Sequence, residues 1–322
     1  MSREEIRENV FDVVIIGGGP AGLTAGLYAA RADLRTLCIE GGSTVSQISV
    51  TDLVENYPGI EAIGGFDLVD RMRSQAVRFG ARFTSGDVVS VEKERIGDVD
   101  GWSVKTAGDN FTTLAVIAAT GANWRKLGVV GEEAFIGKGV SFCATCDGPF
   151  YRDREVVVVG GGDTAVQEAL YLTRFAKKVT IVHRRDRLRA TSVLREQASK
   201  NEKIEFAWNA VVSEILGEQS VKGVRLQNTR NPGDVKEIRA DGIFIFVGLV
   251  PNTGFLEGVV KLDPQGYIVT DDHMQTSAKG VFACGDCTRK LLRQVVTACG
   301  DGATAAVAAQ HYVEELKGIA YK

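Results

Sequence analysis

The stretch from Phe11 to Glu40, FDVVIIGGGPAGLTAGLYAARADLRTLCIE, passes from a Val/Ile-rich run through a glycine turn into a helical pattern and out into a second apolar strand. That is one βαβ unit. Gly17 permits the tight turn, Gly19 lets the backbone approach a pyrophosphate, and Gly22 allows close packing of helix on strand; Pro20 and Ala21 complete the turn, and the helix N-terminus faces the anion. Glu40 closes the second strand 23 residues beyond Gly17, where a carboxylate accepts hydrogen bonds from ribose hydroxyls. A glycine turn alone is a weak sign of a dinucleotide site, but strand, helix and acid in this order make it a strong one.

The stretch from Arg154 to Arg185, REVVVVGGGDTAVQEALYLTRFAKKVTIVHRR, repeats the device. Gly160, Gly162 and Ala165 stand in place of the three glycines, with Asp163 and Thr164 between them. His183 lies 23 residues beyond Gly160 and is followed by Arg184, Arg185 and, in the same basic cluster, Arg189. A carboxylate there would repel the 2′-phosphate of NADP, whereas arginines bind it through charge-assisted hydrogen bonds. The second site is expected to favour NADPH. A metal role for His183 is not indicated, because His273 and His311 make no ligand-spaced pair with it.

Two such units fit a chain of 322 residues with 44% hydrophobic and 25% charged residues, the profile of a globular protein with two cores. A net charge of −3 gives no global attraction to nucleic acid or anionic membrane, so phosphate binding is expected to be local. The start, MSREEIRENVFD, lacks the basic-then-apolar order of a signal peptide. The apolar runs are broken by glycine or proline well short of the roughly 20 residues a membrane span needs. A cytoplasmic protein is expected. Six cysteines are too sparse for a disulfide scaffold.

Between the two units lies SFCATCDGPFY, with Cys143 and Cys146 three apart and Asp147 following. This spacing suits half a metal site, a structural staple or a redox dithiol, and by itself decides among none of them. Its place between two dinucleotide units points to an electron chain: a nicotinamide delivers two electrons as hydride, a thiol pair accepts two as a disulfide, and a flavin is the usual intermediary.

In their order the motifs resemble the low-molecular-weight thioredoxin reductase family along nearly the whole chain: GGGPAG, VENYPG at 54–59, ATGA at 119–122, CATCDG at 143–148, GGGDTA at 160–165, HRRDRLRA at 183–190, PNT at 251–253, and GVFACGD followed by RQ. The resemblance implies an α/β protein of two Rossmann-like, three-layer nucleotide-binding domains, with a discontinuous FAD domain. Residues 1–124 and 251–322 would form that domain, and 125–250 the NADPH domain carrying the CxxC. It further implies that Cys146 faces the flavin, that Cys143 attacks the disulfide of thioredoxin or a thioredoxin-like protein, and that Asp147 is the nearby proton donor. Gln47, Asn56, Thr120, Gly121, Gly285, Asp286, Arg293 and Gln294 match positions around FAD. A homodimer is implied on the same ground. Since one geometry cannot serve both the flavin and a protein disulfide, a motion about the ATGA and PNT crossings is expected.

Two departures stand out. The family commonly has GGQL followed by threonines before VENYPG, whereas this chain reads VSQISVTDL, keeping Gln47 and Thr51 without the glycine pair. The other departure is a second CxxC, Cys284 and Cys287 in FACGDC, where small apolar residues are usual; both are expected to pack as small hydrophobes, as are Cys38 and Cys299. A flavin-dependent dithiol oxidase or a ferredoxin-fed reductase would share the CxxC, but the intact GGGDTA and HRRDRLRA segments argue against both. A zinc protein using both CxxC pairs is opposed by their wide separation.

Overall fold

The computed structural model describes residues 10–42, 46–50, 54 and 56–320, with Val50, Thr145 and Cys146 described by backbone alone. Thr51, Glu55 and the rest of the altered segment at 43–45 and 51–53 lie outside the described residues. The chain divides into two compact units, one formed by the residues up to Asn123 together with those from Val250 onward, the other by Trp124–Leu249.

The first unit begins with β1 (Val10–Ile16), α1 (Pro20–Arg31), β2 (Thr36–Glu40), α2 (Gly65–Arg78) and β3 (Arg82–Ser85), followed by β4 (Val88–Ile96), β5 (Val99–Thr106) and β6 (Asn110–Ala118). β1 pairs in parallel with β2 on one side and β6 on the other, and β3 extends the parallel array. Buried on both faces, β1 reads as an almost unbroken apolar run, as a central parallel strand must. β4, β5 and β6 form an antiparallel meander.

The second unit follows β7 (Ala122–Trp124) and contains β8 (Val140–Ser141), a single helical turn α3 (Ala144–Asp147), β9 (Glu155–Gly160), α4 (Asp163–Leu172), β10 (Lys178–His183), α5 (Ser192–Lys200), β11 (Ile204–Trp208), an antiparallel trio β12 (Ala210–Gly217), β13 (Val221–Asn228) and β14 (Val235–Arg239), and β15 (Gly242–Phe246). Its main sheet is wholly parallel in the order β11-β10-β9-β15-β8. Val156–Val159 fill its centre, sealed on one side by the α4 face Ala165, Val166, Ala169 and Leu172.

The chain returns through β16 (Leu249–Pro251), the partner of β7 in a two-stranded ribbon, and completes the first unit with β17 (Val281–Ala283) and α6 (Val295–Lys317). β17 pairs with the last third of β6, beside the stretch that β5 occupies. The sheet is thus finished by residues more than 150 positions away from its first strands. α6 lies directly on α1 because its inner face is small: Ala298, Gly302, Ala305, Ala306 and Ala309 are buried, and a β-carbon on Gly302 would fall 2.2 Å from the Ala21 carbonyl oxygen. Asp12, buried at the start of β1, takes hydrogen bonds from the Arg35 backbone and side chain and pairs with Lys317 at the end of α6. Burial pushes its carboxyl up, but these cations and the amide outweigh that and hold it below its ordinary value.

Candidate active site

In the first unit the glycine turn is built so that no side chain would fit. Gly17 has φ of +124°, and a β-carbon there would meet the Ala119 carbonyl oxygen at 2.2 Å; one on Gly22 would meet the Gly17 oxygen at 2.0 Å. Gly19 is the extended residue that caps α1, Pro20 opens the helix and Ala21 is buried behind it. Glu40 closes β2 and both of its carboxylate oxygens receive the Arg73 Nε, at 3.2 and 3.3 Å. Arg73, from α2, is stacked over Phe83 with 4.5 Å between guanidinium and ring centre, so the acid is held in place by a braced cation.

The returning segment supplies the rest of this site. Gly285 has φ of +74°, and a β-carbon on it would lie 2.7 Å from that of Ala21, which brings the FACGDC turn against the start of α1. The Gly285 amide donates to Asp301 Oδ2 at 3.1 Å, and Asp301 pairs with the largely buried Lys290. Asp286 is different: among the described residues its Oδ1 is buried without a hydrogen-bond partner, and burial pushes its carboxyl up, with Lys290 and Arg293 pulling the other way and Asp301 adding to the rise. Arg293 donates to the carbonyls of Asp286 and Thr288 and lies 4.0 Å from the Tyr267 ring centre. Gln294 caps α6 reciprocally with Thr297 and accepts from Asn56 Nδ2 at 2.9 Å. Thr120 donates to the Asn252 carbonyl at 2.7 Å and accepts from its side chain, Gly121 has φ of +65°, and Gln47 donates to the Ala122 carbonyl. A glycine cradle at a helix N-terminus beside an orphaned buried carboxyl oxygen fits a dinucleotide with ribityl or ribose hydroxyls to donate, as FAD has.

The second unit repeats the cradle with different surroundings. A β-carbon on Gly160 would meet the Phe246 oxygen at 2.5 Å and that of Ala165 at 2.6 Å. Gly162 caps α4, Asp163 and Thr164 are exposed in its first turn, and Asp163 accepts the Thr191 amide at 2.7 Å. The strand-ending position holds no exposed group. His183 is buried, edge-on to Trp208, with Nε2 lacking a partner among the described residues. Arg184, Arg185 and Arg189 are exposed, and the neighbouring Asp186 pairs with Arg230 instead of with them. The Arg189 and Ala190 amides donate to the Gly161 carbonyl, at 2.6 and 3.1 Å, folding this basic loop over the glycine turn. The arrangement offers three guanidinium groups beside a phosphate cradle.

The CxxC lies in this unit too. Cys143 is disulfide-bonded and its backbone is fixed by Ser141, whose Oγ accepts the Cys143 amide and donates to its carbonyl, both at 3.1 Å. The Cys143 carbonyl also accepts the Asp147 amide at 3.2 Å, which makes α3 a one-turn helix starting at the first cysteine. The Cys146 side chain lies outside the described ones. α3 rests on α4: Ala144 is fully buried with Ala165, Val166, Ala169 and Leu172, and a β-carbon on Gly148 would be 3.3 Å from Leu172 Cδ2.

Cys284 and Cys287 are both free and buried. Cys284 joins the cluster between β6 and α6, Cys287 the cluster on the other face of the sheet, and Cys287 Sγ approaches the Cys284 and Ala118 carbonyls at 3.3 and 3.5 Å. Burial pushes both thiols up. Cys38 is buried and free, its thiol pushed up to about 12, and Cys299 is free and half-buried.

A family model described as pyridine nucleotide-disulphide oxidoreductase matches residues 11–302. The chain belongs to this family. Within it, the chain is 52% identical over 314 residues to the thioredoxin reductase of Listeria monocytogenes, covering 96% of each, and 49% identical over 311 residues to that of Bacillus subtilis, covering 96% of this chain and 97% of the relative. Among solved structures it is similar to the thioredoxin reductase of Lactococcus lactis, with 46% identity and a TM-score of 0.82 over 95% of this chain and 99% of the other. The fold is the two-domain Rossmann-like one of these oxidoreductases.

Four residues of this family member escape a motif reading. Arg73 holds Glu40 from 33 positions away, Lys290 and Asp301 anchor the turn that presents Asp286, and Glu168 lies in α4 with its Oε2 buried. Only Glu168 leaves a trace in the sequence: it stands three residues after Ala165 and four before Leu172, on the face where a helix of this kind is apolar.

Proposed function

We propose that the chain is an NADPH-dependent thioredoxin reductase that carries two electrons through FAD and a Cys143–Cys146 disulfide to the disulfide of thioredoxin or a thioredoxin-like protein. The observation that carries this reading is the placement of disulfide-bonded Cys143 at the start of α3, resting on α4, the helix whose N-terminus is the second glycine cradle. Redox disulfide and nucleotide turn share one support. The names of the relatives agree with it.

In this reading residues 1–124 and 251–322 bind FAD, and 125–250 bind NADPH. FAD held there would supply the two-electron link between the NADPH hydride and the disulfide. Gly17, Gly19, Pro20, Ala21 and Gly22 receive its pyrophosphate, Glu40 with Arg73 behind it takes ribose hydroxyls, and Asp286 Oδ1 accepts a further hydroxyl. Gln47, Asn56, Thr120, Gly121, Gly285, Arg293 and Gln294 shape the rest of that site. Gly160, Gly162, Asp163, Thr164 and Ala165 form the NADPH cradle, and Arg184, Arg185 and Arg189 bind the 2′-phosphate. His183 supports the turn from below instead of touching the phosphate.

Once reduced, Cys143 attacks the thioredoxin disulfide as a thiolate, forming a mixed disulfide and releasing one thioredoxin sulfur. Cys146 then attacks Cys143 Sγ, closing the enzyme disulfide and freeing the second sulfur. Two electrons and two protons pass to thioredoxin, and Asp147 manages a proton beside the pair. The working form is a cytoplasmic homodimer that needs neither nucleic acid nor membrane; among the described residues no helix is long and apolar enough to cross one.

The test is to supply the purified protein with NADPH or NADH and oxidised thioredoxin, then count new thioredoxin thiols. Two thiols per NADPH consumed, with NADPH far better than NADH, is the expected result. Thiols appearing only with reduced ferredoxin, or oxygen uptake in their place, would refute it.

A further inference from the structure

The loop that carries Arg184 and Arg185 is tied at both ends. Its far end is held to the cradle: the Arg189 and Ala190 amides both donate to the Gly161 carbonyl, and the Arg189 guanidinium comes within 3.5 Å of where a β-carbon on Gly162 would stand. Its near end is held by a different part of the unit. The Arg184 carbonyl accepts the Thr229 hydroxyl at 3.1 Å, and the next carbonyl, that of Arg185, accepts the Asn209 amide, also at 3.1 Å. Thr229 closes the bracket with its own amide, which donates to the Asn209 carbonyl at 2.7 Å. Asn209 lies between β11 and β12 and Thr229 follows β13, so two separate corners of the chain are joined at consecutive carbonyls of the basic loop.

The bracket is itself braced. Asn209 has φ of +52°, in the left-handed region that asparagine and glycine enter at low cost and β-branched residues do not. The Asn228 side chain accepts the Arg230 and Asn231 amides, at 2.8 and 3.2 Å, and donates to Asp234 at 3.1 Å, which fixes the turn after β13. Arg230, in that turn, pairs with Asp186 at 2.5 Å; the pair is exposed and adds little stability, but it occupies the acid of the basic loop. Every one of these ties is to loop backbone or to Asp186, which leaves the guanidinium groups of Arg184 and Arg185 outside the bracket.

We infer that Asn209 and Thr229 are positioning residues for the nicotinamide donor: together they hold the backbone of Arg184 and Arg185 so that both guanidinium groups meet the 2′-phosphate of NADPH already ordered. This role rests on the proposed NADPH-dependent reading and adds to it a specificity device that lies outside the glycine motif. Backbone ordered in the free protein does not have to be ordered by the ligand, so affinity rises for whatever the arginines bind. NADH has a hydroxyl in place of that phosphate and makes no such demand. The Thr229 bond is exposed and individually weak, so its loss has a graded effect, whereas a β-branched residue at position 209 would disturb the Arg185 and Thr229 bonds at once.

The experiment compares T229V, T229S, N209V and N209G with the wild-type flavoprotein, and with K236A as an exposed position on β14. KM and kcat are measured for NADPH and NADH with ferricyanide as acceptor, and the dissociation constants of NADP+ and NAD+ by titration calorimetry. A third reading needs no nucleotide: the rate of tryptic cleavage after Arg184 and Arg185 in the native protein, followed by mass spectrometry. T229V is expected to raise KM for NADPH and the dissociation constant of NADP+ about three- to fivefold, and N209V about tenfold, with kcat and the NADH and NAD+ values within about twofold. Both should speed cleavage at least threefold. T229S, N209G and K236A should stay within two- to threefold of wild type throughout. Equal losses for NADP+ and NAD+ would assign both residues to the integrity of the unit alone and overturn the inference, as would unchanged NADP+ binding in T229V and N209V, unchanged cleavage, or a T229S as impaired as T229V. Should N209V fail to fold, T229V against T229S decides. A wild-type protein that binds NAD+ as tightly as NADP+ would refute the donor reading, while the cleavage rates would still decide whether Asn209 and Thr229 hold the loop.

Discussion

The imidazole of His183 occupies the place that a β-carbon on Gly161 would take: Nδ1 lies 2.2 Å and Cε1 2.3 Å from that position. Among the described residues its Nε2 is buried without a hydrogen-bond partner. Enclosure of this kind disfavours the charged form of the ring. Burial, followed by the charges of Arg184, Arg189 and Arg185, lowers its pKa from the ordinary 6.5, with the Gly160 backbone opposing. Between the folded value and about 6.5 the unfolded chain therefore binds a proton that the folded one refuses, so stability falls as pH drops through this window. The expected outcome is that the melting-temperature gap between wild type and His183→Asn, measured without nucleotide, narrows from pH 7.5 to pH 5.5. A gap that stays constant or widens would show that the ring protonates freely in the folded protein.

Donor choice rests on the loop that follows this histidine. Arg184 and Arg185 are exposed beside the cradle, and Asp186 is engaged by Arg230. Charge-assisted hydrogen bonds contribute about 1.5 to 3 kcal/mol each. Replacing both arginines with glutamine should lower kcat/KM for NADPH tenfold or more and leave that for NADH within about twofold. Equal wild-type efficiencies for the two donors would remove the 2′-phosphate assignment.

Much of this organisation is legible in the chain because each cradle is local. The turn glycines, the helix and the strand-ending residue fall within one short stretch, and the steric demands of Gly17, Gly22 and Gly160 are met by backbone that the same motif supplies or that β6 and β15 bring alongside. His183 stands at the position that Glu40 holds in the first unit and is counted with the nucleotide-site residues on that ground alone, whereas the structure buries its ring under Gly161. Side-chain pairs made across the fold leave no such pattern. Arg73 reaches Glu40 from another helix, and Asp301 reaches Gly285 from inside α6, and nothing in the local spacing of either residue announces its partner.

Asp286 gives a test of the first cradle. Its Oδ1 is buried and unanswered, and an unmet buried acceptor costs roughly 1 to 3 kcal/mol. A flavin hydroxyl would relieve that cost, so the residue should matter more to the bound state than to the chain alone. Asp286→Ala is expected to retain less than a fifth of the wild-type flavin after gel filtration, read as the ratio of absorbance at about 450 nm to protein, while the melting temperature of the flavin-depleted protein is unchanged or higher. Full flavin retention would mean that Oδ1 is not an FAD ligand.

The last expectation concerns Cys284 and Cys287, which flank Gly285 and Asp286 with the spacing of a redox pair. Their surroundings do not favour that chemistry. Both are free, both are fully buried, and they belong to hydrophobic clusters on opposite faces of the sheet. Burial pushes both thiols up, away from the thiolate that exchange requires, with Cys287 and Asp301 adding to the rise at Cys284 and Asp286 adding to that at Cys287. A bridge across this turn would also have to form where Gly285, with φ of +74°, brings the backbone against Ala21 and donates to Asp301. As small hydrophobes they each fill a space close to that of alanine, the residue already at position 283. The double variant Cys284→Ala with Cys287→Ala should therefore keep its flavin and reduce thioredoxin within a few-fold of wild type, with a stability loss of about 1 to 2 kcal/mol in denaturant titration from the two small cavities. A variant that retains flavin and reduces ferricyanide normally but stalls at thioredoxin would overturn the packing assignment and make this turn a second redox centre.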